Sequence, residues 1–194
     1  ARSAKFLRSQ GLYVRRNGSL SCGLHMVGRG WHYNKSLAIL HLVMLNDVYN
    51  KQILGFAADI PRQGRLEAPD GTAVAHSKLC GSKVTVDLKL ENGVVTDFAH
   101  DVKACALGQA SSSVMARHIV GESAAELRKL REQMHTMLKQ GGPAPSGRWA
   151  DLEALTPVRD FKARHASTLL TFDAVVKALD MAEGNQAQDA AQSA

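Results

Sequence analysis

The chain has 194 residues, 45% of them hydrophobic, with a formal charge of +6, enough for one compact domain with a substantial core. No apolar run approaches the roughly 20 residues of a membrane-spanning helix, and three cysteines without repeated spacing argue against a disulfide framework. The basicity is local and does not point to nucleic acid: residues 1–43 hold seven Lys or Arg and no Asp or Glu, leaving 17 basic against 18 acidic side chains elsewhere.

Those first 43 residues are Arg-rich, Ser-containing and acid-free. They read either as an organelle transit peptide or as an extension translated from upstream of a start at Met44. Either way they are expected to lie outside the fold, disordered or cleaved. The first reading places the protein in the mitochondrial matrix, the second in a bacterial-type cytoplasm. From Leu45, apolar residues at Leu45, Val48, Tyr49, Ile53 and Phe56 form a helical stripe, with Asn46 and Asp47 near its start and Pro61 and Gly64 beyond its end. Residues 72–77 predict a short strand. In 83–90, Val84, Val86, Leu88 and Leu90 alternate with Lys83, Thr85, Asp87 and Lys89, the pattern of a strand with one wet face. Glu91-Asn92-Gly93 supplies a turn and 94–104 its hairpin partner.

Past Cys105 the pattern turns helical. One helix is expected over 109–120 and another over 124–139, the second opened by a capping box of Ser123 and Glu126. Residues 141–147 form a loop, ADLEAL a short helical turn, Pro157 a breaker, and 163–182 the last long helix. The polar tail 183–194 is expected to fray. Strands followed by helices predict an α+β domain over 44–182, a small three-stranded antiparallel sheet with helices packed on one face.

Two cysteines fall within this domain. Cys105 stands where the second hairpin strand hands over to a helix, with Lys103 beside it, an electropositive setting of the kind that activates thiols. Cys80 lies in a strand-to-strand turn flanked by Lys78 and Lys83, where Gly81 permits close backbone approach. Each alone reads equally as a small core residue. His76, four residues before Cys80, and His165, at the start of the last helix, are candidate partners, whereas His118 and His135 read as solvated. Ser111-Ser112-Ser113 lacks a nucleophile elbow and reads as small residues for close packing. Phosphate-cradle motifs are missing.

The run LCGSKVTVDLKLENGVVTDFAHDVKACALGQASSSVMARHIVG resembles the core of the NifU-N/IscU/SufU iron–sulfur assembly scaffolds: a C-G-D loop, a hairpin, then a cysteine followed by small residues. NDVYNKQILGFAADIPRQGRL is similar to their first helix and N-P-R segment, and ARHASTLLTFDAVVKAL to their closing segment. The resemblance covers about 44–182, and the length between Cys105 and ARHAS is similar to the SufU-type branch. It implies a scaffold rather than an enzyme, which receives sulfur from a cysteine desulfurase and iron from elsewhere, carries a transient [2Fe–2S] cluster, and delivers it to recipient apoproteins. It implies Cys80 and Cys105 as ligands. The family's aspartate falls at Ser82, its third cysteine at Ser167, and its histidine, where present, at Ala166, one place beyond His165.

A serine hydroxyl is a poor ligand for iron–sulfur clusters or zinc. One chain therefore offers two thiolates, with His165 or His76 as supplementary metal ligands, and two chains in a homodimer offer four. The alternative is a sulfur-relay protein in which Cys105, or Cys80, takes a persulfide and zinc is structural. A third reading is a relative that has lost cluster binding. Neither nucleic acid nor membrane is an expected partner.

Overall fold

A computed structural model describes residues 50–78 and 80–192. The expectations for the basic extension, Met44 and the stripe residues 45–49 lie outside these. Helix α1, Lys51–Ala58, begins at Asn50, whose side chain accepts the Ile53 N–H at 2.9 Å. This cap satisfies one of the orphan donors of the first turn. Strands β1 (Gly71–His76), β2 (Lys83–Glu91) and β3 (Val94–Lys103) follow, pairing antiparallel in the order β1-β2-β3. The hairpin turn works because Asn92 and Gly93 both take positive φ, 51° and 75°, as a type I′ turn requires.

Helix α2 is Ala106–His118 and α3 is Ala124–Gln140. Ser123 caps α3 by accepting the Glu126 N–H at 3.2 Å. Residues Gly147–Asp160 form 3-10 turns that contain Pro157 rather than break at it, and α4 runs from Lys162 to Gln192. The stretch from Glu183, expected to fray, continues this helix. Asn185 Nδ2 donates to Asp70 O at 2.9 Å and Gln186 Nε2 to Leu90 O, tying the helix end to the sheet. Chain-register partners share a face, so Val84, Val86 and Leu88 point with Val102, His100 and Phe98 into the core beneath the helices. At Gly71 the strand comes so near α4 that an added Cβ would collide with Ala178 O.

The opposite face departs from the alternating pattern's wet side. Thr85 and Asp87 are buried there, because the segment after α1 folds back across the sheet. Arg65 forks onto Asp87, with Nη2 donating to Oδ1 at 2.9 Å and Nε to Oδ2. The Leu66 N–H (3.1 Å) and Thr72 hydroxyl (2.7 Å) donate to the same carboxylate. The strap also extends the β3 edge: the His100 N–H donates to Arg62 O at 3.1 Å, and the Gly64 N–H to His100 O at 2.9 Å. His100 is fully buried, donates from Nε2 to Pro61 O at 3.0 Å, and finds no partner for Nδ1 among the described residues. Burial holds its pKa below the usual histidine value, against the pull of Pro61 and Asp101. No described helix is long and apolar enough to cross a membrane.

Candidate functional site: two thiols linked through a serine

The turn between β1 and β2 is closed by two backbone hydrogen bonds, Ser77 N–H to Ser82 O at 2.8 Å and Gly81 N–H to Ser77 O at 2.9 Å. Gly81 sits at φ 70°, a conformation that a side chain would oppose. Cys80 projects from this turn as an exposed free thiol. Its sulfur is 3.3 Å from Ser77 Oγ and 3.1 Å from Ser82 Oγ. A thiol has only one proton to give, so at least one hydroxyl donates to sulfur, and both can do so to a thiolate. The hydroxyls of Ser77 and then Ser82 are the main causes that lower the Cys80 pKa. Slight burial opposes them, and the Ser82 backbone and the Arg164 cation assist.

Cys105 is the N-cap residue of α2, with extended backbone (φ −67°, ψ 167°) and no side-chain cap bond. Its sulfur is half-buried against the core. The two cysteines meet through Ser82, whose oxygen accepts the Cys105 N–H at 3.4 Å. Lys103, two residues before Cys105, is drawn to Asp101 at 3.5 Å. The third corner comes from α4: an added Cβ at Gly108, in the first turn of α2, would lie 3.0 Å from Ser167 O. Small residues after Cys105 thus let the start of α2 approach the start of α4.

The other candidates are committed elsewhere. Ser167 is 1% exposed, and its hydroxyl donates to Arg164 O at 3.0 Å. His165 is 8% exposed and uses Nε2 on Val158 O (3.2 Å) and Arg159 O (3.0 Å), leaving Nδ1 alone as a possible ligand atom. His76 is exposed on the last residue of β1 and shares a cleft with His165, Ser77 and His135. Among the described residues, no three His, Cys, Asp or Glu side chains come together as a metal site. The structure therefore brings Cys80, Ser82, Cys105 and Ser167 to one end, without adding His76 or His165 to the thiols. Ser77 was missed from sequence. Its signal is a short hydroxyl residue three before a turn cysteine, a position from which serine readily bonds local groups. The serine triplet packs as expected: all three are buried, with Ser111 Oγ on Leu107 O and Ser113 Oγ on Asp59 O.

The family described as NifU-like N terminal domain matches residues 48–168. The chain belongs to this family. It is similar to the crystal structure of a NifU-like protein (N-terminal) from Brucella abortus, at 62% identity and a TM-score of 0.72, over 73% of this chain and 98% of that one. It is also 29% identical over 134 residues to the iron-sulfur cluster assembly scaffold protein IscU of Thermotoga maritima, covering 68% of this chain and 92% of that protein. With the zinc-dependent sulfurtransferase SufU of Bacillus subtilis it shares 27% identity over 105 residues, covering 54% and 71%. The antiparallel α+β fold is thus that of NifU-like domains. Against the needs of a tetrahedral zinc ion or a Cys₄-held cluster, the described residues of this NifU-like chain bring together two thiols among serine hydroxyls, and that set does not complete either within one copy.

Proposed function

We propose that the protein is an iron–sulfur cluster assembly scaffold, which accepts sulfur and iron at the Cys80–Cys105 end and passes on a cluster as its cargo. The observation that carries this reading is the Ser82 oxygen, which binds the Cys80 sulfur and the Cys105 backbone together. Family membership gives it its context. Because the described residues of one chain bring two thiols to this end, two copies facing each other through it match the four thiolates of a [2Fe–2S] cluster. The protein acts as acceptor and carrier rather than as an enzyme in its own right, with a cysteine desulfurase as sulfur donor and apoproteins as recipients.

Sulfur acceptance by Cys80 is a second reading, favoured by its exposure and by the hydroxyls that stabilise its thiolate. Its thiolate attacks the outer sulfur of a desulfurase persulfide. The donor's S–S bond breaks, the donor cysteine leaves as thiolate, and Cys80 becomes the persulfide. Cys105, the acceptor expected from sequence, is less open to attack because its sulfur packs against the core. Zinc enters no step here, since the donors among the described residues are too few.

Anaerobic reconstitution with ferrous iron, cysteine and a desulfurase tests the scaffold reading. The expected product has visible charge-transfer absorption, one cluster per two chains, and dimeric size by gel filtration. Cys80→Ala and Cys105→Ala each lose it, and Ser167→Cys slows its decay. A stable one-per-chain cluster indifferent to all three changes would refute the reading.

A further inference from the structure

An open cleft of about 510 Å³ adjoins the cysteine end, walled by the end of β1, α3 and the first half of α4. Its volume is that of a site for a molecule of tripeptide size. Leu169 and Leu170, almost fully buried, give it an apolar lining. Its one carboxylate, Asp173, is already taken by Arg131 Nε at 2.7 Å and His135 Nε2 at 3.3 Å. Lys139 and Lys162 also line the cleft, and both are exposed. Among the described residues, the ion-paired lysines are Lys103 and Lys129 instead. The cleft is therefore cationic and lacks its own counter-ions, which selects a carboxylate-bearing guest.

Ser77 fixes where such a guest would lie. It lines the cleft, and its Oγ is 3.3 Å from the Cys80 sulfur, so a molecule held there is one side chain away from the thiol. That end of the protein is short of soft donors, with hydroxyls at Ser82 and Ser167. We infer that the cleft binds a small carboxylate-bearing thiol whose carboxylates meet Lys139 and Lys162 and whose sulfur joins Cys80 and Cys105 as a donor to the cargo. The donor role rests on the scaffold reading, whereas the binding does not. The guest acts on a single copy, before a second one closes on the cluster, where Cys80 and Cys105 leave iron positions to hydroxyl or water. The guest thiol loses its proton to solvent and its sulfur bonds iron in place of that ligand, without change of oxidation state.

Two measurements on the full chain separate these parts. The first is calorimetric titration of the metal-free protein with S-methylglutathione, which carries the carboxylates but cannot ligate through a thiolate. One saturable site is expected. Lys139→Glu with Lys162→Glu should weaken it about tenfold or more, since each change removes an attraction and adds a repulsion. The milder Lys139→Gln with Lys162→Gln should weaken it several-fold if the charge reversals disturb folding, and Lys177→Glu, outside the cleft, should leave it unchanged. Absence of a saturable site, or indifference to the paired changes, overturns the inference. The second is cluster lifetime against a chelator, with glutathione compared to 2-mercaptoethanol at matched thiolate concentration. Longer life in glutathione, several-fold and only with both lysines present, supports the donor role. Equal lifetimes overturn it. A chain that takes up no cluster defeats the scaffold reading while the titration still decides the cleft.

Discussion

Arg65→Ala tests whether the strap across the sheet holds a buried charge. The Asp87 side chain is 0% exposed, whereas that of Arg65 is 56% exposed. The truncation thus costs the arginine little and strands the carboxylate. Breaking a buried pair costs roughly 3–5 kcal/mol. Thr72 and Leu66 still donate to Asp87, so a smaller loss of about 2–3 kcal/mol at pH 7 is expected. With a urea m-value of about 2–3 kcal/mol/M, the unfolding midpoint should fall by about 1 M. Burial works against ionisation of Asp87, and the hydrogen bonds from Arg65, Thr72 and Leu66 outweigh it, holding the carboxyl below its ordinary value. The folded state therefore binds fewer protons than the unfolded one between those two values. Asp87 contributes fully above the ordinary carboxyl range, and the contribution is lost as pH falls through its folded value. In Arg65→Ala the largest offset to burial is gone. The gap between wild type and variant should therefore be widest near neutrality and close as acid neutralises the carboxylate. Equal urea midpoints at pH 7, or a gap that persists unchanged into acid, would show that the strap's ion pair carries no stability.

Three further outcomes follow from other corners of the structure. Ser77→Ala with Ser82→Ala should slow iodoacetamide labelling of Cys80 at pH 7 by about several-fold, measured in a Cys22→Ser, Cys105→Ser background, because the hydroxyls favour the reactive thiolate; an unchanged rate removes their role. Burial keeps His100 neutral, so wild-type stability should hold above the ordinary histidine pKa and decline as pH falls below it, where the unfolded chain takes up a proton that the buried ring resists; urea midpoints at pH 7.5 and 5 should show this slope in wild type and lose it in His100→Phe. Gly71→Ala should cost about 1–3 kcal/mol, read as a melting temperature lower by several degrees, because its methyl would collide with the Ala178 carbonyl; unaltered melting would mean that β1 and α4 part easily.

The hairpin was legible because each of its signals is local: period-two apolar residues, then Asn92-Gly93 at the two positions that need positive φ. The cysteine end was legible through the family's motif spacing. What escaped depended on distant chain segments. Asp87 belongs by pattern to a solvated face, and only the return of Arg65, 22 residues earlier, buries it. His165 looked available, yet the 3-10 turns before it present two carbonyls to its ring nitrogen. The residues after Glu183 are polar enough to fray, but the sheet offers carbonyls at Asp70 and Leu90 that they reach. Pro157 was read by its helix-breaking habit, whereas 3-10 turns accommodate it.

The family match ends at residue 168, in the first turns of α4, while that helix runs on to Gln192. The limit of the family match is therefore not a limit of folding. Leu169, Leu170, Phe172, Val175 and Leu179 all lie beyond it and are buried. At about 1.5–3 kcal/mol per large apolar side chain, these five account for on the order of 10 kcal/mol, comparable to the net stability of a whole domain. A gene fragment trimmed at the family boundary would leave the inner surface of the sheet bare and prone to aggregation. The corner at Ser167 would then stand on a helical stub with little to hold it. Any minimal version of this protein must therefore keep the rod that continues past the family match.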